Sequence, residues 1–175
     1  MPTASTQNDE LRIPMTSTIA LAGFAELYER HYEAVFRAAM RVTGNSADAE
    51  DVLQTVFLRV LARGADVGEF ELPGAYFRRA AVNAAVDVLR RREMHGETGY
   101  DEWAPHAAVH SPFLLKERLR RAIATLDRED ASLFLLRHVE GLSIEELAGM
   151  FQLEKNNVAV RLHRIRHRLQ EEMER

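Results

Sequence analysis

An all-α fold is predicted, organised as two small helical domains joined by a flexible linker, and three observations carry that prediction. Apolar residues recur three and four apart through most of the 175-residue chain, the spacing of one helix face, and no segment sustains the alternation of a half-buried strand. Between residues 94 and 112 the period stops: Gly96, Gly99, Pro105 and Pro112 interrupt it, and three acids stand there without a Lys or Arg. Such a stretch reads as an extended acidic linker. Beyond it, Ser143 and Glu146 form the pattern that caps a helix start, and a second apolar stripe follows after a tight turn.

The elements follow in order. Residues 1–22 are rich in Thr, Ser, Ala and Pro without a sustained period and predict a mobile leader. A first domain is expected over 23–93. Phe24, Leu27, Tyr28, Val35, Ala39 and Val42 mark its first helix, which Gly44 is placed to end in a left-handed conformation. Asn45 or Ser46 caps the next, with Asp48, Glu50 and Asp51 near its positive end and Val52, Leu53, Val56, Val60 and Leu61 as its buried stripe. Residues 64–74 read as a loop, and Pro73 opens a third helix near 73–93. After the linker, a second domain over 113–175 begins with a stripe of Leu115, Leu119, Ala122, Ile123 and Leu126. Leu133, Leu136 and Val139 mark another that stops at Gly141. Two short helices complete it, the first with Ile144, Leu147, Ala148 and Phe151 inward and the last with Val158, Leu162, Ile165 and Leu169 inward.

Composition narrows the function classes. With 46% hydrophobic and 29% charged residues the chain is expected to fold. It contains no cysteine, so disulfides, thiolate metal sites and cysteine nucleophiles are excluded. No apolar run approaches the roughly 18–20 residues that span a bilayer, and no membrane insertion is expected; a cytoplasmic location is. The net charge is −4, yet it is zoned. Residues 155–168 hold Lys155, Arg161, Arg164, Arg166 and Arg168 and no acid, and residues 76–93 hold five arginines against Asp87 and Glu93. Local positive charge of this kind suits phosphate contacts.

Two helical faces follow from that zoning. On the last helix, at about 100° per residue, Asn156, Val160, His163, Arg164 and His167 point away from the buried stripe, flanked by Asn157, Arg161 and Arg168 on one side and Lys155 and Arg166 on the other. A polar centre between basic flanks fits a major groove: Asn and Arg reach base edges, cations hold phosphates, and Val160 meets a thymine methyl. On the third helix, Tyr76, Arg79, Asn83, Asp87 and Arg90 share a stripe opposite Phe77, Ala81, Ala84 and Val88. Aromatic, cationic and amide groups on one face suit single-stranded DNA, although a solvated helix with an Asn83–Asp87 bond fits the same residues. His163 and His167 lack the further ligands of a metal site. No metal, no cofactor and no catalytic set is expected, and hence no enzyme.

From Phe24 to Arg175 the sequence resembles the sigma-70 superfamily, specifically its extracytoplasmic-function group. The run Ala49-Glu50-Asp51-Val52-Leu53-Gln54-Thr55-Val56-Phe57-Leu58-Arg59 is similar to that family's polymerase-docking helix. Tyr76 to Arg92, with Asn83, Asp87 and Arg90-Arg91-Arg92, resembles the helix that engages the minus-ten element. Glu140-Gly141-Leu142-Ser143-Ile144-Glu145-Glu146-Leu147-Ala148, followed by Val158, Arg161 and Leu162, resembles the minus-thirty-five reader. The resemblance implies a subunit that binds core RNA polymerase, at the clamp of the largest subunit and the flap of the second largest, and directs promoter recognition, melting and initiation. It also implies an anti-sigma partner.

Residue by residue, the resemblance assigns polymerase contact to Asp48, Asp51, Gln54, Phe57 and Arg59. Minus-ten DNA falls to Phe70, Tyr76, Arg79, Asn83, Asp87, Arg90 and Arg91, with Phe70 in the base-capturing loop. The minus-thirty-five element falls to Lys155, Asn156, Asn157, Val160, Arg161, Arg164 and Arg168. Some positions depart from the usual pattern: Val82 stands where Arg is common, Leu126-Asp127 for Leu-Pro, Gln152 for a turn Gly, Glu154 for Ser and Ala159 for Lys. An N-cap role for Asp127 would account for one of these. The departures keep open an adaptor that binds polymerase or an anti-sigma protein without reading DNA. An unrelated helix-turn-helix repressor would leave residues 49–59 unexplained.

Overall fold

The structure is a computed structural model that describes residues 15–62, 74–96 and 112–174, the backbone alone for 15–22. Seven helices are formed among these residues: α1 (Met15–Thr43), α2 (Ser46–Ala62), α3 (Gly74–His95), α4 (Pro112–Thr125), α5 (Arg128–His138), α6 (Ile144–Phe151) and α7 (Lys155–Glu174). There is no strand among them. Helix α1 starts at Met15, inside the stretch whose irregular sequence predicts a mobile leader. Phe70, Pro73 and most of the acidic linker lie outside the described residues.

Local chemistry sets the helix ends. The Asn45 side chain accepts from the Asp48 backbone N–H at 3.2 Å, satisfying one of the free donors of α2. Asp127 caps α5 by accepting from the Asp130 N–H at 2.9 Å, the role that its replacement of a proline suggests. The capping box at α6 is complete: Glu146 N–H donates to Ser143 Oγ at 3.1 Å, and Ser143 N–H donates to the Glu146 carboxylate at 2.8 Å.

Helices α1, α2 and α3 pack on one another as one unit, and α4 to α7 as a second. In the first, Val35, Ala38, Ala39 and Val42 of α1 meet Ala49, Val52, Val56, Phe57 and Val60 of α2, all buried. Phe77 of α3 is fully buried, with its ring centroid 5.7 Å from Phe57 and 4.2 Å from His31. Burying side chains of this size contributes about 1.5–3 kcal/mol each. In the second unit the predicted stripe of α7, Val158, Leu162, Ile165 and Leu169, is buried as expected against α4, α5 and α6. Leu61 and Leu115, expected inside, are 48% and 56% exposed.

Helix α3 belongs to both units. It packs against α1 and α2 and also against α4 and α5, and buries two stripes: Phe77, Ala81, Ala84 and Val88 as predicted, and Val82, Val86 and Leu89 beside them.

Candidate nucleic-acid and polymerase interfaces

The helix-turn-helix is built from α6 and α7 around Gln152, whose φ of 56° and ψ of 43° place it in the left-handed region. Leu153 N–H then donates to the Ala148 carbonyl at 2.9 Å, closing the end of α6 so that α7 starts three residues on. A left-handed residue favours glycine because a Cβ crowds the following carbonyl; here glutamine accepts the strain. With its apolar stripe inward, α7 leaves Asn156, Asn157, His163, Arg164 and His167 exposed, and Val160 is 42% exposed. Lys155 pairs with Glu145 at 2.9 Å across the turn.

Arg161 departs from the expected pattern. Its guanidinium donates to Asp130 and, at 3.0 Å, to Glu129, with Asp127 3.7 Å away. Arg168 lies 3.6 Å from the other Asp130 oxygen. These acids stand at the start of α5, so in this structure Arg161 ties the recognition helix to α5. Burial, with Asp127 adding to it, holds the Asp130 carboxyl above its ordinary value against the pull of Arg161. Burial would also raise Asp127, but hydrogen bonds from Asp130 and the charges of Arg161 and Arg168 outweigh it and bring it down.

On α3 the structure brings Tyr76, Arg79, Asn83, Asp87 and Arg90 onto one stripe, as predicted. Their side chains already have protein partners. Arg79 donates to the Met150 carbonyl at 2.5 Å and lies 4.4 Å over the Phe151 ring. Asn83 accepts from Ser132 Oγ at 2.5 Å, Asp87 accepts from Arg128 at 2.6 Å, and Arg90 donates to the Leu126 carbonyl at 2.9 Å. Tyr76, Arg79, Asn83 and Arg59 line a cleft of about 430 Å³ with Arg128 and Phe151. Arg91 is not part of this stripe; it lines a different cleft with Asp48, Asp51, Arg92 and His95.

The five residues assigned to polymerase contact do not form one patch. Phe57 is 3% exposed and packs edge-on to Phe24 and beside Tyr28 and Phe77, a core position from which it supports the outer face of α2. Asp48 is half-buried and pairs with Arg92 at 2.5 Å, fastening α2 to the end of α3; burial raises its carboxyl while Arg92 pulls against that. Arg59 turns toward α3, 4.0 Å from Asp87. Asp51 and Gln54 remain at the surface, and on the same side stand Leu58 and Leu61, 62% and 48% exposed. At about 100° per residue, positions 51, 54, 58 and 61 share a stripe. The signal was present in the spacing, since Leu58 and Leu61 are out of phase with Val52, Val56 and Val60. On α1, Tyr28 and Tyr32 stack at 5.6 Å and are likewise exposed.

A helix-turn-helix whose last helix has an exposed polar and basic face, beside a second helical unit with a cationic and aromatic stripe, is an arrangement chemically suited to DNA, in an all-α protein of two helical domains. The sequence matches Sigma-70 region 2 over residues 27–94 and Sigma-70 region 4 over residues 116–169. It is 31% identical over 157 residues to the RNA polymerase sigma-E factor of Streptomyces avermitilis, covering 86% of this chain and 85% of that protein. It is 30% identical over 149 residues to the ECF RNA polymerase sigma factor SigM of Mycobacterium tuberculosis, covering 83% and 74%. Among solved structures, CnrH in complex with the cytosolic domain of CnrY has a TM-score of 0.51 at 22% identity, covering 89% of this chain and 93% of that one. The sigma factor RpoE in complex with the anti-sigma factor NepR from Bartonella quintana has a TM-score of 0.51 at 20% identity, covering 86% and 96%. The chain belongs to the sigma-70 family of RNA polymerase sigma factors, in its extracytoplasmic-function group.

Proposed function

We propose that the chain binds core RNA polymerase and directs promoter recognition, DNA melting and initiation, with α7 reading the minus-thirty-five element and α3 engaging the melted minus-ten strand. The observation that carries this reading is the outward face of α7: Asn156, Asn157, Val160 and Arg164 are exposed beside the capped turn that fixes their direction. Asn and Arg there offer the donor and acceptor geometry that base edges require.

Polymerase contact is assigned to Asp51 and Gln54 together with Leu58 and Leu61, since an exposed apolar pair rimmed by polar groups suits a protein interface. The polymerase supplies the covalent chemistry and this subunit supplies binding energy for opening DNA, in the cytoplasm. Among the described residues, no helix is long and apolar enough to cross a membrane. A relation to an anti-sigma protein is supported by the two structural neighbours, one of them named as an anti-sigma complex.

The test is run-off transcription with core polymerase and a genomic promoter library. A shared upstream motif among enriched start sites is expected. Enrichment of no start site would remove the reading, and core co-elution without enrichment would favour the adaptor.

A further inference from the structure

The cleft beside the polar stripe of α3 has the make-up of a small-molecule site. Its volume of about 430 Å³ falls within the about 300–1,000 Å³ of pockets that hold such ligands, and suits one nucleotide better than a strand. Tyr76, Arg79 and Asn83 of α3 line it together with Arg59 of α2, Arg128 of α5 and Phe151 of α6. Three guanidiniums and two aromatic rings around one cavity are the groups that phosphates and a planar base require.

Charge in the cleft is one-sided. Arg59 and Arg128, both about half exposed, reach the same Asp87 oxygen at 4.0 and 2.6 Å. One carboxylate thus stands between two cations, and the contact with Arg59 is loose. Arg79 has the Met150 carbonyl and the Phe151 ring as partners, and neither carries a neutralising charge. Glu129 also lines the cleft, but Arg161 holds it at 3.0 Å. A positive surplus remains, and in a partly enclosed cleft it acts more strongly than in open water.

The opposite end is aromatic. Tyr76 stands perpendicular to the buried Phe77 ring, and Ala80, one turn further along α3 and also in the cleft wall, is too small to cover it. Between the two ends, Asn83 Oδ1 accepts from Ser132, which leaves the Asn83 amide NH2 as a donor for an acceptor on a base or sugar. Tyr76 and Asp87 are about three turns, roughly 16 Å, apart on α3, close to the span of a nucleoside diphosphate from base to terminal phosphate. We propose that the cleft binds a nucleoside 5′-diphosphate, with its base stacked on Tyr76 and its phosphates between Arg59 and Arg128, where they compete with Asp87. The site goes beyond the DNA reading of α3, because Arg128, Ser132 and Phe151 belong to the second unit.

Equilibrium dialysis of the full chain against labelled ADP, GDP, pyrophosphate and the two free nucleosides tests the assignment. One nucleotide per chain is expected, bound at least about tenfold more tightly than pyrophosphate or nucleoside, since stacking adds to charge. Arg128→Ala, at a residue assigned to neither DNA nor polymerase contact, should weaken nucleotide and pyrophosphate alike by about tenfold. Tyr76→Ala should weaken the nucleotide about tenfold and leave pyrophosphate unchanged. Circular dichroism checks that both variants keep their helices. Absence of binding by either nucleotide at millimolar concentration overturns the site, and so does pyrophosphate that matches the nucleotides, the mark of a plain anion patch. Nucleotide binding that neither variant weakens places the ligand elsewhere and overturns it too. The DNA reading of α3 stands or falls separately, on the affinity of the chain with core polymerase for a single-stranded minus-ten oligonucleotide.

Discussion

Replacing Arg161 with alanine tests whether this arginine organises the second unit or touches DNA. Its bond to Glu129 is at the surface, with Glu129 64% exposed, and such a pair contributes about 0–1 kcal/mol. Its bond to Asp130 differs, because that side chain is 13% exposed, and a hydrogen bond to a charged group contributes about 1.5–3 kcal/mol. Without the guanidinium, the neighbouring cation for Asp130 is Arg168 at 3.6 Å. A loss of about 2–3 kcal/mol is therefore expected. The loss has a pH signature. The Asp130 carboxyl is already raised by burial, and removing Arg161 raises it further. A group raised in the fold destabilises it as pH climbs through the folded value and ceases to do so once protonated, so the deficit of the variant shrinks as pH falls. Urea unfolding followed by circular dichroism at about pH 7 and about pH 5 measures both effects. A loss below about 0.5 kcal/mol, together with weakened binding to upstream DNA, would contradict the reasoning and return Arg161 to the DNA face.

Three further outcomes are expected. Gln152→Gly relieves the left-handed strain at the turn and raises stability by about 0.5–1 kcal/mol after the added backbone entropy of glycine is counted; denaturant midpoints check it. Phe57→Ala costs about 3–5 kcal/mol of stability, whereas Leu58→Ala with Leu61→Ala weakens core polymerase binding about tenfold at an unchanged unfolding midpoint, a contrast read by denaturation and by affinity titration side by side. Arg164→Ala weakens upstream DNA binding by about 1–3 kcal/mol and relaxes the discrimination between upstream bases, measured by anisotropy over a set of singly substituted duplexes.

Where one neighbour covers a helix, the sequence is easy to read. Helix α7 buries one stripe, and Val158, Leu162, Ile165 and Leu169 predict it completely. The caps at Asp127 and Ser143 are equally plain, because their partners lie within three residues. Helix α3 resists the same treatment: with neighbours on two sides its buried residues include Val82, Val86 and Leu89 as well as the expected set, which blurs any single stripe. Phe57 and Leu61 exchange their expected places, since Phe24, Tyr28 and Phe77 gather around Phe57 from α1 and α3 and nothing local to α2 announces them. The partners of Arg161 are hidden in the sequence for a related reason. Its acids stand at the start of α5, more than thirty residues away in sequence, and a basic residue on a recognition helix looks the same whether it faces phosphate or carboxylate.

The most direct test of the whole account is permanganate footprinting of promoter DNA by core polymerase with and without this chain. The account predicts unstacked thymines around the minus-ten element only when the chain is present, with their loss on Asn83→Ala. Core polymerase that retains the chain yet leaves every promoter thymine unreactive would contradict it.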